Sequence, residues 1–284
     1  MMNLHKMHRE RKVPLRFTGS LGRDRMRHVR THNLPAIRRV ALDLPHLPKA
    51  WDGLKILQIS DVHSGPFMPV ERSRKITRLA AGLGADMIVF TGDQLDRRRS
   101  DAKRFVEGFR GLEAPLGVWG ILGNHDHSTD PDLAVWALER AGIKPLINQS
   151  IMFSRGNQSL ALIGLDDFQS TGKGPDFDII KGHSHAFRIT LCHQPNGWHQ
   201  AVQAGAHLTL SGHTHGGQIA LTARHLNVAR LETRYIAGPY RREDAFLYVS
   251  RGVGVGAVPV RFGAPPEIDL LTLHSPARAR QAAA

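Results

Sequence analysis

Eight side chains able to carry chemistry fall in five short clusters along this chain. None of the eight is a cysteine, and each is a carboxylate, an imidazole or an amide: Asp61, His63, Asp93, Asn124, His125, His193, His213 and His215. Oxygen and nitrogen donors of this kind bind Mn²⁺, Fe²⁺ or Zn²⁺, whereas a structural zinc site usually includes thiolates. The clusters therefore predict a metal site that is not a structural zinc.

The number of candidate ligands predicts how many ions the site holds. Seven of them exceed what one ion can bind, whereas a pair of ions about 3.5 to 4 Å apart that share a carboxylate would use them all. Asp93 is the predicted bridging carboxylate. We therefore expect two divalent ions, of manganese, iron or zinc.

The clusters follow predicted strands. Short apolar runs alternate with amphipathic segments and predict strands at residues 54–59, 87–90, 118–122, 160–165, 187–192, 208–210, 246–249 and 268–273, with helices at 70–83 and 132–141. Each of the five clusters comes just after the carboxyl end of one of these strands. Because the loops at that edge of an α/β sheet converge on one crevice, the clusters are predicted to form a single polar pocket.

The order and spacing of the motifs resemble a known family. The series Asp61-x-His63, Gly92-Asp93, Gly123-Asn124-His125-Asp126, His193 and Gly212-His213-x-His215 is similar to the signature of calcineurin-like metallophosphoesterases. The match covers residues 54–220, and its wider framing resembles a bacterial stand-alone subgroup whose members often carry membrane segments or export signals.

The resemblance implies a fold and an assignment of ligands. The fold would be a four-layer α/β/β/α sandwich, with two mixed sheets facing each other, helices outside and the metals at one edge. One ion would be held by Asp61, His63, Asp93 and His215, and the other by Asp93, Asn124, His193 and His213. The nucleophile would be a hydroxide held by both metals, because coordination brings the pKa of water toward neutrality.

The resemblance also implies a role for the eighth residue. His125 would remain unligated, protonate the leaving oxygen and act as the general acid, with Asp126 orienting its ring. Gly92, Gly123 and Gly212 would leave room beside crowded metal centres where a side chain would clash.

Other polar residues have a structural interpretation beside a functional one. Gly182-His183-Ser184-His185 imitates the metal motif but precedes a predicted strand, which places it at the wrong end of the sheet. His127 and the Asp166-Asp167 pair are candidates for the pocket wall, and the arginines at 97–99 are either a solvated run or a phosphate clamp at the rim.

The charge of the chain is concentrated at its N-terminus. Residues 1–40 contain eleven Lys and Arg against two acids, a large part of the net charge of +13. We predict a basic, flexible tail over residues 1–37 and a metallophosphoesterase domain over residues 38–284. The tail suits an anionic membrane surface, and less well a nucleic acid.

The remaining composition bears on location. The single cysteine, Cys192, excludes an internal disulfide framework. Charges, prolines or glycines interrupt every apolar run before the roughly 18 residues that a membrane span needs, and no apolar signal-peptide core follows the basic N-terminus. We therefore expect a cytoplasmic protein, peripheral to the membrane if the tail binds lipid.

Three functions from different classes are consistent with these features. The first is a phosphoesterase acting on a phosphodiester, pyrophosphate or phosphomonoester, among them lipid-linked or headgroup phosphoesters at a membrane. The second is a nuclease or nucleotide phosphodiesterase, for which the tail would bind polyanion. The third, a non-catalytic scaffold, predicts eroded ligands, and the full set is present.

Overall fold

The computed structural model describes residues 11–12, 34–221, 226–256 and 259–276 of the chain. The strands are β1 (Arg11–Lys12), β2 (Ala36–Asp43), β3 (Lys55–Ile59), β4 (Met87–Thr91), β5 (Val118–Ile121), β6 (Lys144–Pro145), β7 (Gln149–Arg155), β8 (Gln158–Gly164), β9 (Phe187–Leu191), β10 (Leu208–Ser211), β11 (Ala220–Leu221), β12 (Leu226–Asn227), β13 (Gly238–Arg242), β14 (Ala245–Val249) and β15 (Glu267–His274). The α-helices are α1 (Val70–Ala81), α2 (Asp101–Phe109), α3 (Asn124–Thr129), α4 (Pro131–Arg140), α5 (Asp178–Lys181) and α6 (Trp198–Gln203).

Within these residues the strands form two large mixed sheets. The first has the order β2-β15-β3-β4-β5-β6, and β3 to β6 run parallel. The second has the order β1-β13-β14-β10-β9-β8-β7, with β14, β10, β9 and β8 parallel. Five parallel strands that precede a ligand cluster, three in one sheet and two in the other, therefore end on the same side of the molecule.

An apolar layer joins the two sheets. Ile56 and Val89 of the first sheet pack with Leu162 and Ile189 of the second, and all four are fully buried. Successive strand residues point to opposite faces, so the neighbours of these residues cover the outer faces. Each such side chain contributes about 1.5 to 3 kcal/mol when it leaves water.

Helices cover both outer faces. Leu57 and Ile88 of the first sheet pack with Ile76 of α1 and Phe105 of α2, and α4 joins the same cluster. On the second sheet, Ile163 packs with residues of α5 and α6. The four-layer α/β/β/α sandwich is therefore confirmed.

The predicted elements are found with shifts of one or two residues at their ends. The helix predicted over 132–141 begins at Pro131, where the Asp130 side chain accepts from the amide of Leu133 at 3.0 Å. The strands β1, β2, β6, β7, β11, β12 and β13 and the helices α2, α3, α5 and α6 were not predicted. The residues of β7 are only half-buried or exposed, so its sequence lacks the apolar run on which the strand predictions depended.

The predicted domain boundary falls inside a strand. β2 begins at Ala36 and pairs in parallel with β15, so that Arg38 lies opposite Asp269 and its guanidinium bonds Glu267 at 3.1 Å. The folded part therefore starts at least two residues before the predicted position 38. In addition, Arg11 and Lys12 of the predicted tail pair with β13, while the rest of that tail lies outside the described residues.

No helix in the described part of the chain is both long enough and apolar enough to cross a bilayer.

Candidate active site

The loops after five strand ends are tied together by backbone and side-chain hydrogen bonds. The amide of Asp61 donates to Gly92 O at 3.0 Å, and the amide of His63 donates to Asp93 O at 3.0 Å. Beneath them, the buried Gln58 amide donates across to Ser211 O of the second sheet at 2.9 Å. The two sheets are therefore held in register directly below the polar cluster.

Five of the seven predicted ligands have a left-handed backbone. The φ angles are 53° at Asp61, 47° at His63, 57° at Asp93, 71° at His213 and 51° at His215. This conformation costs a non-glycine residue about 1 to 3 kcal/mol, and such strain gathers at functional sites. The strand-to-loop turns aim these side chains into the crevice at that cost.

One group of ligand atoms consists of Asp61, His63 and His215. The Nε2 atoms of the two histidines lie 3.0 Å apart, and His215 Nε2 is 3.5 Å from Asp61 Oδ1. All three residues are buried, and their ligand atoms lie within 4.8 Å of one another.

A second group lies on the other side of Asp93. His193 Nε2 is 3.3 Å from Asp93 Oδ2 and 3.1 Å from Asn124 Oδ1, and His213 Nδ1 is 2.9 Å from the same amide oxygen. Asp93 Oδ2 is also 3.5 Å from His63 Nε2 of the first group. The structure therefore brings all seven predicted ligands together, with Asp93 between the two groups.

Hydrogen bonds on the outer side of the rings set their orientation. His193 Nδ1 lies 2.7 Å from Thr91 O, which can only accept, so Nδ1 carries a proton and Nε2 is the nitrogen that faces the cluster. Such a partner for the second ring nitrogen is typical of histidines that bind metal.

The electrostatics of the cluster favour a cation. Burial alone would raise the pKa of Asp93, but His193 and His63 lower it well below its ordinary value. Burial would likewise lower the pKa of His193, but Asp93 and Asp61 raise it to about 10. Because the carboxylates stabilise a positive charge at the buried His193 ring, and the donors of the cluster are nitrogen and oxygen only, the residues fit divalent metal ions.

Glycines make room for the cluster. A methyl group at Gly123 would overlap the Asp93 carboxylate, and one at Gly212 would overlap Ser60 and the Asp61 carboxylate. These positions are crowded as predicted, and neither backbone has a positive φ. Close approach explains the absence of a side chain at both.

His125 lies at the edge of the same cluster, with a partner that the sequence did not reveal. One of its ring nitrogens lies within 4.8 Å of possible ligand atoms of His63 and Asp93, and its ring meets the His63 ring edge-on with the centroids 4.6 Å apart. Its Nδ1 lies 3.0 Å from Asp96 O. The Asp96 carboxylate is also 3.6 Å from His63 Nδ1. Asp96, three residues after Asp93 in the same loop, therefore orients two rings of the site.

The structure places Asp126 elsewhere than predicted. Its carboxylate accepts from the amides of Gln94, Leu95 and Gly123 at 3.2, 2.9 and 2.9 Å and is fully buried. Burial and the nearby Asp93 raise the pKa of Asp126 to about 7. Its carboxylate holds the start of α3 against the Asp93 loop, so the expected contact with the His125 ring is wrong, and that contact is made by Asp96.

Two further residues contact ligands from outside the predicted set. Glu232 Oε1 lies 2.9 Å from His213 Nε2, and the buried Arg261 guanidinium lies 3.0 Å from His215 Nδ1. The hydrogen bond from His213 lowers the pKa of Glu232. Neither residue lies in a recognisable motif, so no signal in the sequence marked them.

The other candidates lie as follows. His183 is at the amino end of β9, where its Nε2 is 2.8 Å from Ser150 Oγ, away from the cluster. His127 Nε2 lies 2.7 Å from Asp166 Oδ1. Arg99 forms an ion pair with Asp130.

Comparison with known proteins identifies relatives for most of the chain. The sequence model described as calcineurin-like phosphoesterase matches residues 54–217. The metallophosphoesterase YkuE of Bacillus subtilis (strain 168) is 31% identical over 235 residues, which cover 81% of this chain and 82% of that protein. A transmembrane protein with metallophosphoesterase domain of Bos taurus is 33% identical over 85% of this chain, which spans 57% of that protein.

A further relative is named for its substrate. The UDP-2,3-diacylglucosamine pyrophosphatase LpxG of Chlamydia muridarum (strain MoPn / Nigg) is 28% identical over 294 residues. The similarity covers 84% of this chain and 89% of that protein.

Proposed function

This chain belongs to the calcineurin-like phosphoesterase family and is a phosphoester hydrolase, and on that basis we propose that it cleaves a phosphodiester or pyrophosphate bond with two divalent metal ions. The observation that carries the proposal is the convergence of two buried carboxylates, one amide and four imidazoles from five strand ends of two sheets. A phosphomonoester is a further substrate that this site would accept.

The ligands divide between the two ions as their contacts suggest. Asp61, His63 and His215 would hold one ion, and Asn124, His193 and His213 the other, with Asp93 shared. When bound, manganese, iron or zinc ions would supply the positive charge and the activated water that attack on phosphorus requires. Asn124 adds an oxygen ligand without adding a negative charge. The positive charge of the ions is therefore neutralised less, and more of it remains to attract an anionic phosphate.

His125 is the proposed general acid. Because the Asp96 carbonyl accepts from Nδ1, the nitrogen left to donate a proton to the leaving oxygen is Nε2. The Asp96 carboxylate lies 4.0 Å from the same nitrogen, His125 Nδ1. About a quarter of the side chain is exposed, which leaves a substrate room to reach it.

The surface beside the site supports an amphiphilic substrate. Leu231, Ile219 and Val260 are 91%, 39% and 49% exposed, and each is the chain neighbour of a residue that contacts His213 or His215. Exposed aliphatic groups next to a polar crevice suit acyl chains, while the basic charge of the protein suits the phosphates. The substrate class named for LpxG, a diacylated sugar nucleotide with a pyrophosphate, combines both features.

The basic N-terminal segment adds two elements to the proposal. Residues 1–37 would bring the enzyme to an anionic membrane from the cytoplasmic side, and so to a lipid-linked substrate in that surface. The same positive charge favours a second candidate function, a nuclease or nucleotide phosphodiesterase.

A substrate panel tests these alternatives. Metal-stripped protein would be reconstituted with Mn²⁺ and given bis-p-nitrophenyl phosphate, a diacylated sugar nucleotide, its deacylated form, and single-stranded DNA at low salt. We expect the acylated substrate to have a kcat/KM at least about tenfold above that of the deacylated form, because one buried acyl segment of a few methylenes contributes more than 1.4 kcal/mol. Equal kcat/KM values for the acylated and deacylated forms would refute the proposal of an amphiphilic substrate. Preferential cleavage of DNA would favour the nuclease, and inactivity toward every phosphoester would refute the proposed function.

A further inference from the structure

His213 is contacted on both of its ring nitrogens. Nδ1 lies 2.9 Å from Asn124 Oδ1, inside the cluster, and Nε2 lies 2.9 Å from Glu232 Oε1, outside it. Because an ionised carboxylate can only accept, Nε2 must carry the proton. In a neutral ring the lone pair is then on Nδ1, the nitrogen that faces Asn124.

Glu232 is held at this place by the segment that carries it, residues 229–237, here called the strap. Thr233 Oγ1 donates to Asn196 Oδ1 at 2.7 Å, and Thr214 Oγ1 donates to Ile236 O at 2.6 Å. Tyr235 is buried, with its ring against that of Trp198 at 5.4 Å. The backbone just after Glu232 is therefore fastened to the loop that follows His193 and to the motif that contains His213.

The carboxylate itself remains accessible to solvent. The Glu232 side chain is 62% exposed, whereas that of His213 is 13% exposed. An ion pair in such an exposed position contributes little to folding, so stability gives little reason for this arrangement. What the contact does determine is the direction of the His213 ring and the nitrogen that bears its proton.

We propose that Glu232 is a positioning residue of the metal centre, which fixes the ring of His213 so that Nδ1 is available to the ion shared with Asn124 and His193. This inference rests on the proposed two-metal function and adds a residue from outside the five motifs to it. Outer carboxylates of this type change metal affinity by about 10- to 100-fold when they are removed.

Metal titration of the full chain tests the role. The wild-type protein, Glu232→Ala and Glu232→Gln would be stripped with chelator, dialysed and titrated with Mn²⁺ in a calorimeter. We expect the Kd of one of the two sites to rise about 10- to 100-fold in Glu232→Ala. Glu232→Gln loses the same charge but keeps an oxygen that can accept from Nε2, so its Kd should lie closer to the wild-type value.

The controls separate this effect from loss of charge or of folding. Glu113→Gln removes a negative charge from an exposed site in another part of the chain and should leave both affinities unchanged. The thermal midpoints of the metal-free proteins should agree within a few degrees. The positioning role alone would be overturned if Glu232→Ala bound Mn²⁺ at both sites with the wild-type Kd. It would also be overturned if the Ala and Gln variants lost the same amount of Mn²⁺ affinity. A wild-type protein that binds no Mn²⁺ would overturn both this inference and the proposed function.

Discussion

Asp269 lies fully buried between the sheets and should make the stability of the fold depend on pH. Its carboxyl oxygens accept from Tyr248 Oη and Ser250 Oγ, each at 2.6 Å. Burial and the neighbouring Glu267 raise the pKa of Asp269 from 3.8 to about 8. The folded protein therefore keeps this group protonated at pH values at which the unfolded chain has already ionised it.

The sign and the size of the effect follow from this difference. The contribution of Asp269 is fully present below the unfolded pKa of 3.8 and is lost as the pH rises through the folded pKa of about 8. Each pH unit between the two values costs about 1.4 kcal/mol. From pH 5 to pH 8 this group alone should lower the free energy of unfolding by about 4 kcal/mol.

The variant Asp269→Asn removes the titration and keeps the hydrogen bonds. An amide has the shape of a protonated carboxyl: its oxygen accepts from one of the two hydroxyls and its NH2 group donates to the other, so Tyr248 and Ser250 each keep a partner. Urea unfolding followed by circular dichroism at pH 5, 6, 7 and 8 would give the free energy of unfolding of both proteins in chelator. We expect the variant to gain about 4 kcal/mol on the wild type between pH 5 and pH 8.

A control and an opposite result complete the test. Asp178→Asn changes an exposed carboxyl and should leave the difference from wild type the same at every pH. The other groups of the protein are the same in all three proteins, so their contribution cancels in the comparison. If the difference between Asp269→Asn and wild type did not change with pH, the buried carboxyl would be ionised in the folded state and the reasoning would be refuted.

Three further predictions concern the active site. His125→Ala should reduce kcat/KM by about 10²- to 10⁴-fold for a diester with an alkyl leaving group, but much less for a diester whose leaving group is p-nitrophenol. The control variant His183→Ala should keep wild-type activity, and equal losses for both leaving groups would exclude a general acid. Gly123→Ala should weaken Mn²⁺ binding measurably in a calorimetric titration, because the new methyl group overlaps the Asp93 carboxylate. An unchanged Kd would contradict the close approach of Gly123 to that carboxylate. Dialysis against a chelator should abolish hydrolysis, and Mn²⁺ at 100 times its Kd should restore it. The bound metal should also stabilise the fold by about 2.7 kcal/mol for each occupied site, read as a higher thermal midpoint that manganese-free buffer alone does not produce.

The strands of the core could be predicted because their signal is local. Runs such as the one before Asp61 are apolar on both faces, since each face is covered by another layer, and a turn ends them. The strands β2 and β7 were not predicted because their side chains are mixed in polarity. They are defined by pairing, β2 with β15 far along the chain and β7 with the largely buried β8.

The residues that the structure brings together in the cluster could also be predicted, whereas the partners of their rings could not. Asp61 and Asp93 were recognisable because each residue type and its position after a strand can be found by inspection of one segment. Which residue orients His125 depended on how the Asp93 loop folds back and presents the Asp96 carbonyl, whereas the carboxylate of the adjacent Asp126 accepts from three backbone amides instead.

The amino-acid sequence by itself determined the chemistry of this protein, because nitrogen and oxygen donors placed after strands of a parallel sheet must meet at one edge. The tertiary structure alone decided how the donors are aimed. Asp96 and Glu232 reach the rings of His125 and His213 from loops whose paths depend on contacts with other parts of the chain. Such contacts have no period or spacing, because they arise only when separate segments pack together.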